Sequence, residues 1–308
     1  MSAGWIAASV RARSMAERRV GAGLCHTISM HTSPAPALAL LSGTMYGERL
    51  AACTSPVEYE RATQNTVLWQ LRVLAGWLPA SGTRLVRALA AGFERDNILA
   101  LEGTFTSAAE TPEYFDLGVL STAWPRLRNA QSTAQLRDGL RLTPWGDAGT
   151  DGQTSLADVL TVTWLSRLAS AAPASRPWAQ MAVGLCGARM VLVDRSVPSS
   201  RFRHWVRPLL GTAWESATTM ADMKVALPPT ARKLLDGLDH PDELWRAEVR
   251  CRLRMEDDAF RMLRVSPAGP DTVLASLTVL QSDSWRLRAA LFAADRGAGS
   301  SEVLNAVA

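Results

Sequence analysis

A chain of 308 residues that is 47% hydrophobic can bury roughly three quarters of its unfolded surface and needs neither disulfide nor metal to hold a core. The four cysteines, Cys25, Cys53, Cys186 and Cys251, stand far apart, which excludes short Cys-x-x-Cys spacing and fits a reducing compartment better than a secreted disulfide framework. The net charge is +4, and almost all the positive charge is arginine, Lys224 and Lys233 being the only lysines; spread over solvated helix faces, it implies a weak preference for acidic surfaces rather than a dedicated nucleic-acid interface.

The chain opens with a short apolar stretch, Trp5 to Val10, that precedes Arg11, Arg13, Arg18 and Arg19, the reverse of a signal peptide. A cytoplasmic protein is expected. Next comes Ser33-Pro-Ala-Pro-Ala-Leu-Ala-Leu-Leu-Ser-Gly-Thr-Met-Tyr-Gly-Glu48, which aligns without a gap on Ser132 to Asp147. Ser33/Ser132, Ala35/Ala134, Leu41/Leu140, Thr44/Thr143 and Gly47/Gly146 are identical, and Tyr46/Trp145 and Glu48/Asp147 exchange like for like. Thr66-Val67-Leu68-Trp69 with Arg72 returns as Thr161-Val162-Thr163-Trp164 with Arg167, and both lead into Pro-Ala-Ser, at 79–81 and 173–175. Two matches in the same order argue for a duplicated unit. Tyr46 and Trp145 are therefore expected in equivalent places, each at a helix end behind its threonine.

Helical periodicity dominates between the breaks. Leu85, Leu89 and Phe93 fall at i, i+4, i+8, as do Trp245, Val249 and Leu253; Val206, Leu209, Leu210, Ala213 and Ala217 form another stripe. These read as core faces, and Trp69, Trp164 and Trp245 as core tryptophans. Breaks are expected at 79–82, 143–146, 147–154, 173–177, 198–200, 228–229 and 267–270, where Pro, Gly and Ser collect. The run Met190-Val191-Leu192-Val193 within 189–194 suits a strand or a buried helix equally, but no alternation of strands and helices surrounds it. No stretch of about eighteen apolar residues occurs, since even Met181 to Val193 is interrupted by Arg189, so no membrane span is expected. A final helix runs from Asp271 through Trp285 to Ala293, and the Gly/Ser-rich tail from Gly297 to Ser301 is expected to fray. The reading is all-α, with three pseudo-repeated helical-bundle units at 1–105, 106–200 and 201–308 in one contiguous body.

Catalytic signatures are missing. The chain has no Gly-x-x-x-x-Gly-Lys-Ser/Thr phosphate loop, no Gly-x-Ser-x-Gly and no His-Glu-x-x-His. Cys25-His26 with His31 is the nearest approach to a metal set, and a loop or capping role is expected for it instead. Asp257-Asp258 are adjacent and so diverge on a helix. Asp242 and Glu243 suit the start of the helix carrying Trp245. No catalytic, cofactor or metal residue is therefore assigned, and the chain is read as no enzyme.

Several motifs nevertheless carry a resemblance. Trp5-Ile-Ala-Ala-Ser-Val-Arg-Ala-Arg13 and Leu40-Leu-Ser-Gly-Thr-Met-Tyr-Gly47 are similar to the aromatic, Val-Arg-x-Arg opening and the Leu-x-x-Thr-x-Tyr element of the C-type central-stalk family of the V/A-type ATPases, homologous to the d-type component of the eukaryotic V-ATPase. Phe93-Glu-Arg-Asp-Asn-Ile98 resembles that family's Tyr-Asp-x-x-Asn-Ile/Leu helix. Gly118-Val-Leu120 followed by Ser132 to Trp145 resembles its second Gly-x-Leu, Leu-x-x-Thr-x-Tyr element, with Trp145 in place of tyrosine. The resemblance implies a three-part, funnel-like helical body, a monomer within its complex, that sits peripherally on the cytoplasmic membrane face. It would join the rotor-shaft subunits to the proteolipid ring and couple rotation to transport of protons or sodium. The alternative is a stand-alone helical-repeat adaptor binding protein or nucleic acid through its arginines. An enzyme with a site outside the known motifs ranks third, because no nucleophile, base and orienting group suggest themselves.

Overall fold

The computed structural model describes residues 2–106, 112–149 and 154–297, and among them the chain is helical with no β-strand. In chain order the α-helices are α1 (Ala3–Glu17), α2 (Gly21–Ser29), α3 (Pro34–Leu41), α4 (Gly47–Leu50), α5 (Pro56–Ala75), α6 (Thr83–Thr104), α7 (Trp124–Leu127), α8 (Thr133–Arg141), α9 (Leu156–Ala171), α10 (Arg176–Ala188), α11 (Ser200–Leu210), α12 (Met220–Ala226), α13 (Pro229–Arg232), α14 (Leu244–Val265) and α15 (Pro270–Asp295). Their starts are written in the sequence. The hydroxyls of Ser55, Ser132, Ser155, Ser199 and Thr219 each accept a first-turn backbone N–H, with Glu58 and Asp222 completing capping boxes. Each such cap contributes about 1 kcal/mol. Pro34, Pro56, Pro229 and Pro270 open helices where a missing N–H costs nothing.

The chain divides into two compact units, one made of Met1–Thr83 with Arg252–Ala308, the other of Arg84–Cys251. The first unit is thus discontinuous, a different partition from the three segments 1–105, 106–200 and 201–308. At its centre lies α15, buried without a break from Thr272 to Leu280, the signature of a helix enclosed on every side. Helices α1, α2, α3 and α5 pack against it. The face of α1 that does so is Ala8, Ser9, Ala12, Met15 and Ala16, mostly small residues that let two helices approach closely. Ser9 also accepts the Gly269 N–H at 2.8 Å, so the loop entering α15 is tied to α1. Arg13 donates to the carbonyls of Leu263 and Ser266. A buried ion pair joins Arg286 of α15 to Glu256 of α14 through bonds of 3.1 and 2.5 Å, which satisfies both groups where a lone charge would be costly.

In the second unit α10 plays the central part, packing on α9, α11 and α13. Glycine makes this possible: a Cβ at Gly184 would lie 3.0 Å from the Cβ of Ala231, and one at Gly187 would lie 3.0 Å from the Trp214 indole. The run at 189–193, ambiguous between strand and helix in the sequence, is a π-helical turn continuing α10.

Three expected core stripes resolve differently. Leu85, Leu89 and Phe93 are buried as read. On α14 the buried line is Leu244, Ala247, Cys251 and Ala259, and Trp245 is 43% exposed; both lines have helical spacing, and a shift of one residue rotates the face by about 100°. α11 ends at Leu210 because Gly211 takes φ +78°, so Ala213 lies beyond the helix and is exposed. The expected break at 147–154 lies partly, and the expected fraying of the tail almost wholly, outside the described residues.

Candidate functional site

The residues singled out by the internal repeat form two matched constructions. After α3, the Thr44 hydroxyl donates to the Leu41 carbonyl at 2.7 Å and accepts the Tyr46 N–H at 3.3 Å. After α8, Thr143 donates to Leu140 at 2.7 Å and accepts the Trp145 N–H at 3.3 Å. The turn thereby swings each aromatic ring inward, and both rings are fully buried. Identical Gly47 and Gly146 serve these turns for different reasons. A Cβ on Gly47 would stand 2.5 Å from the carbonyl oxygens of Leu41 and Ser42, whereas Gly146 adopts φ +71°.

Each aromatic then meets a buried carboxylate that caps the start of another helix in its own unit. The Tyr46 hydroxyl donates to Asp283 Oδ2 at 3.0 Å, and Asp283 also accepts the N–H groups of Val20 and Gly21, at 3.0 and 2.7 Å, at the start of α2. The Trp145 indole N–H donates to Glu94 Oε2 at 3.0 Å. Glu94 further accepts the N–H groups of Thr122, Ala123 and Trp124 at 2.7, 2.7 and 3.0 Å, and the hydroxyls of Ser121 and Thr122 at 2.9 and 2.6 Å. One turn along α6, Asn97 exchanges two bonds with the Phe115 backbone. The Arg167 guanidinium lies 5.0 Å over the Trp145 ring.

The two carboxylates titrate in opposite directions. Burial pushes Glu94 up, but the N–H of Ala123, the hydroxyl of Thr122 and the N–H groups of Trp124 and Thr122 outweigh it, so its carboxyl sits below the ordinary glutamate value. For Asp283 burial wins over the bonds from Gly21, Val20 and Tyr46, and its carboxyl is raised. Burial, then the Asp283 charge, pushes the Cys25 thiol up to about 12, which leaves it protonated and unreactive at neutral pH. These groups anchor helices.

A third Leu-x-x-Thr-x-aromatic segment lies outside the pair that the repeat aligns. Thr212-Ala213-Trp214 follows α11, and Trp214 is fully buried, packed edge-on to Phe202 at 5.9 Å and donating to the Gly211 carbonyl at 3.2 Å. Its sequence signal is the Leu-x-x-Thr-x-aromatic order of the first two, here Leu209 to Trp214. Gly187 of α10 faces this indole, and among the described residues no carboxylate bonds to it as Glu94 does to Trp145 and Asp283 to Tyr46.

The remaining candidates do not converge. Cys25 is buried while its neighbour His26 is exposed, and among the described residues no group of three His, Cys, Asp or Glu side chains could hold a metal. Asp258 pairs with Arg254 and Arg261 along α14, at 3.2 and 2.9 Å, while Asp257 is exposed. Glu243 accepts the N–H groups of Asp239 and His240 ahead of α14, the helix-start role read for it. No helix among the described residues is long and apolar enough to cross a membrane.

Trp69 and Trp164, matched in sequence, part company. Trp164 fits a notch at Gly92, where a Cβ would stand 3.1 Å from its ring, donates to the Ala88 carbonyl at 3.0 Å and lies under Arg95. Trp69 is 46% exposed, and so is no core residue. Trp164→Ala should lower stability by about 2–3 kcal/mol and Trp69→Ala by less than about 0.5 kcal/mol, measured by urea unfolding. Equal losses would contradict this division.

A scan of the chain against protein-family models matches none, and a search of curated proteins returns no match.

Proposed function

We propose that the chain is the central-stalk socket of a V/A-type rotary ATPase, a non-catalytic subunit that joins the rotor shaft to the proteolipid ring and couples shaft rotation to proton or sodium transport. One observation carries the reading. The Leu-x-x-Thr-x-aromatic elements on which the resemblance rests fold as two matched turns, each burying its aromatic ring against a helix-capping carboxylate, and Glu94 and Asn97 of the family-like helix both anchor neighbouring backbone. The Thr212-Ala213-Trp214 turn supports a third related unit. A joint that transmits torque needs stiff, close-packed bodies of this kind. In this reading the subunit is a monomer within its complex, peripheral to the membrane on the cytoplasmic side, and catalysis resides in the partners.

Purified chain is expected to bind the shaft subunits in a pull-down and neither to bind nor to hydrolyse ATP. A stable joint buries at least about 1,200 Å² in total, so binding should weaken with salt as rim arginines are screened, yet survive 1 M salt through its apolar centre, where the Debye length is about 3 Å. No shaft binding at any salt, with tight, salt-sensitive association to DNA or RNA, would favour the adaptor reading.

A further inference from the structure

The second unit holds a cleft of about 610 Å³ whose walls come from the π-helical turn after α10, the loop 195–198, the start of α11 and residues 215–218. Its size lies in the range of ligand-binding clefts. Two arginines and one glutamate line it. Arg203 is held in place by two bonds to the Pro198 carbonyl, at 3.0 and 2.6 Å, and its nearest carboxylate, Glu215, is 3.6 Å away. Arg195 is exposed and has no hydrogen-bond or ion-pair partner among the described residues; the adjacent Asp194 lies 3.9 Å from Arg189 instead. The Arg195 backbone takes φ +49°, the left-handed region that disfavours a side chain, and the π turn just before it departs from regular helix as such turns often do at binding sites. Between the charges the walls are mixed: Val191, Ala217, Pro241 and the 62% exposed Val197 are apolar, while Ser196 and Thr218 are polar.

We propose that this cleft docks an extended segment of a partner protein in which one carboxylate side chain is flanked by apolar residues. The acid would pair with Arg195, whose charge is unmatched, with Arg203 as a fixed second donor; the flanking side chains would cover Val191 and Val197. Charge complementarity selects the acid: two guanidinium groups against one carboxylate leave the cleft positive, and a basic segment would meet repulsion at Arg195. The cleft is open to solvent, and a chain passing through it needs no lid. The proposal is independent of the rotary reading, because it is tested without shaft subunits.

The test is a nuclear magnetic resonance titration of the ¹⁵N-labelled full chain with acetyl-Val-Glu-Val-amide and with its glutamine counterpart. The glutamate peptide is expected to give saturable shifts centred on the amides of Ser196, Val197 and Thr218, with Kd near about 1 mM, and the glutamine peptide to bind at least tenfold more weakly. Arg195→Ala should abolish that difference and Arg195→Lys should retain part of it, while Arg18→Ala, an exposed arginine of the other unit, should change nothing. Because Arg195 is exposed, its variants are expected to keep the spectrum of the folded chain. Equal binding of the two peptides, indifference to Arg195→Ala, or no saturation up to about 10 mM would overturn the proposal.

Discussion

Glu94→Gln is expected to destabilise the second unit by about 3 kcal/mol although it changes neither size nor shape. The reason is the geometry of its surroundings. The two carboxylate oxygens are ringed by donors: the N–H groups of Thr122, Ala123 and Trp124, the hydroxyls of Ser121 and Thr122, and the Trp145 indole. A carboxylate offers these donors only acceptor sites, whereas a glutamine would turn its NH₂ either toward the Trp145 indole N–H or toward the backbone N–H groups and leave a buried donor unpaired. The pH dependence follows in sign. With its folded pKa below the unfolded value of about 4.3, Glu94 contributes stability that is complete above that unfolded value and is lost as pH falls through the folded one. Urea unfolding of the native chain should therefore show an acid-side loss that Glu94→Gln removes together with the stability at neutral pH. A variant as stable as the parent at pH 7 would show that the network is not formed.

Trp145→Ala should cost a similar amount, about 3–5 kcal/mol, by emptying a site whose side chain is 1% exposed. It also deprives Glu94 of one donor and strips the ring from under Arg167. Because Trp145 and Glu94 share a bond, the double variant Trp145→Ala, Glu94→Gln should lose less than the sum of the two single losses. Strict additivity in a double-mutant cycle would mean that the indole and the carboxylate do not act together.

Helix starts are legible from the sequence because a Ser or Thr cap, a following Glu or Asp and a first-position proline act over four residues, and local chemistry of that range needs no tertiary information. The repeat likewise places Thr44-Met45-Tyr46 and Thr143-Pro144-Trp145 in the same turn, since the threonine's two bonds are made within a few residues. Which of several apolar stripes becomes the core is another matter. Trp69 and Trp245 have helical spacing yet lie outside the core, 46% and 43% exposed, because periodicity states that a face exists and not which neighbour covers it.

By itself, then, the sequence determined the all-helical character, several of the helix boundaries and the inward turn of Tyr46 and Trp145, all decided by contacts close along the chain. The tertiary structure alone decided the partners of those rings. Asp283 lies 237 residues from Tyr46 and Glu94 lies 51 from Trp145, and neither acid carries any local mark of the donors it will meet. It also decided that the C-terminal helix α15 is the buried centre of the unit containing the N-terminus. Burial of that kind is a property of packed surfaces, to which residues far apart in the chain contribute together, so no window of sequence contains it.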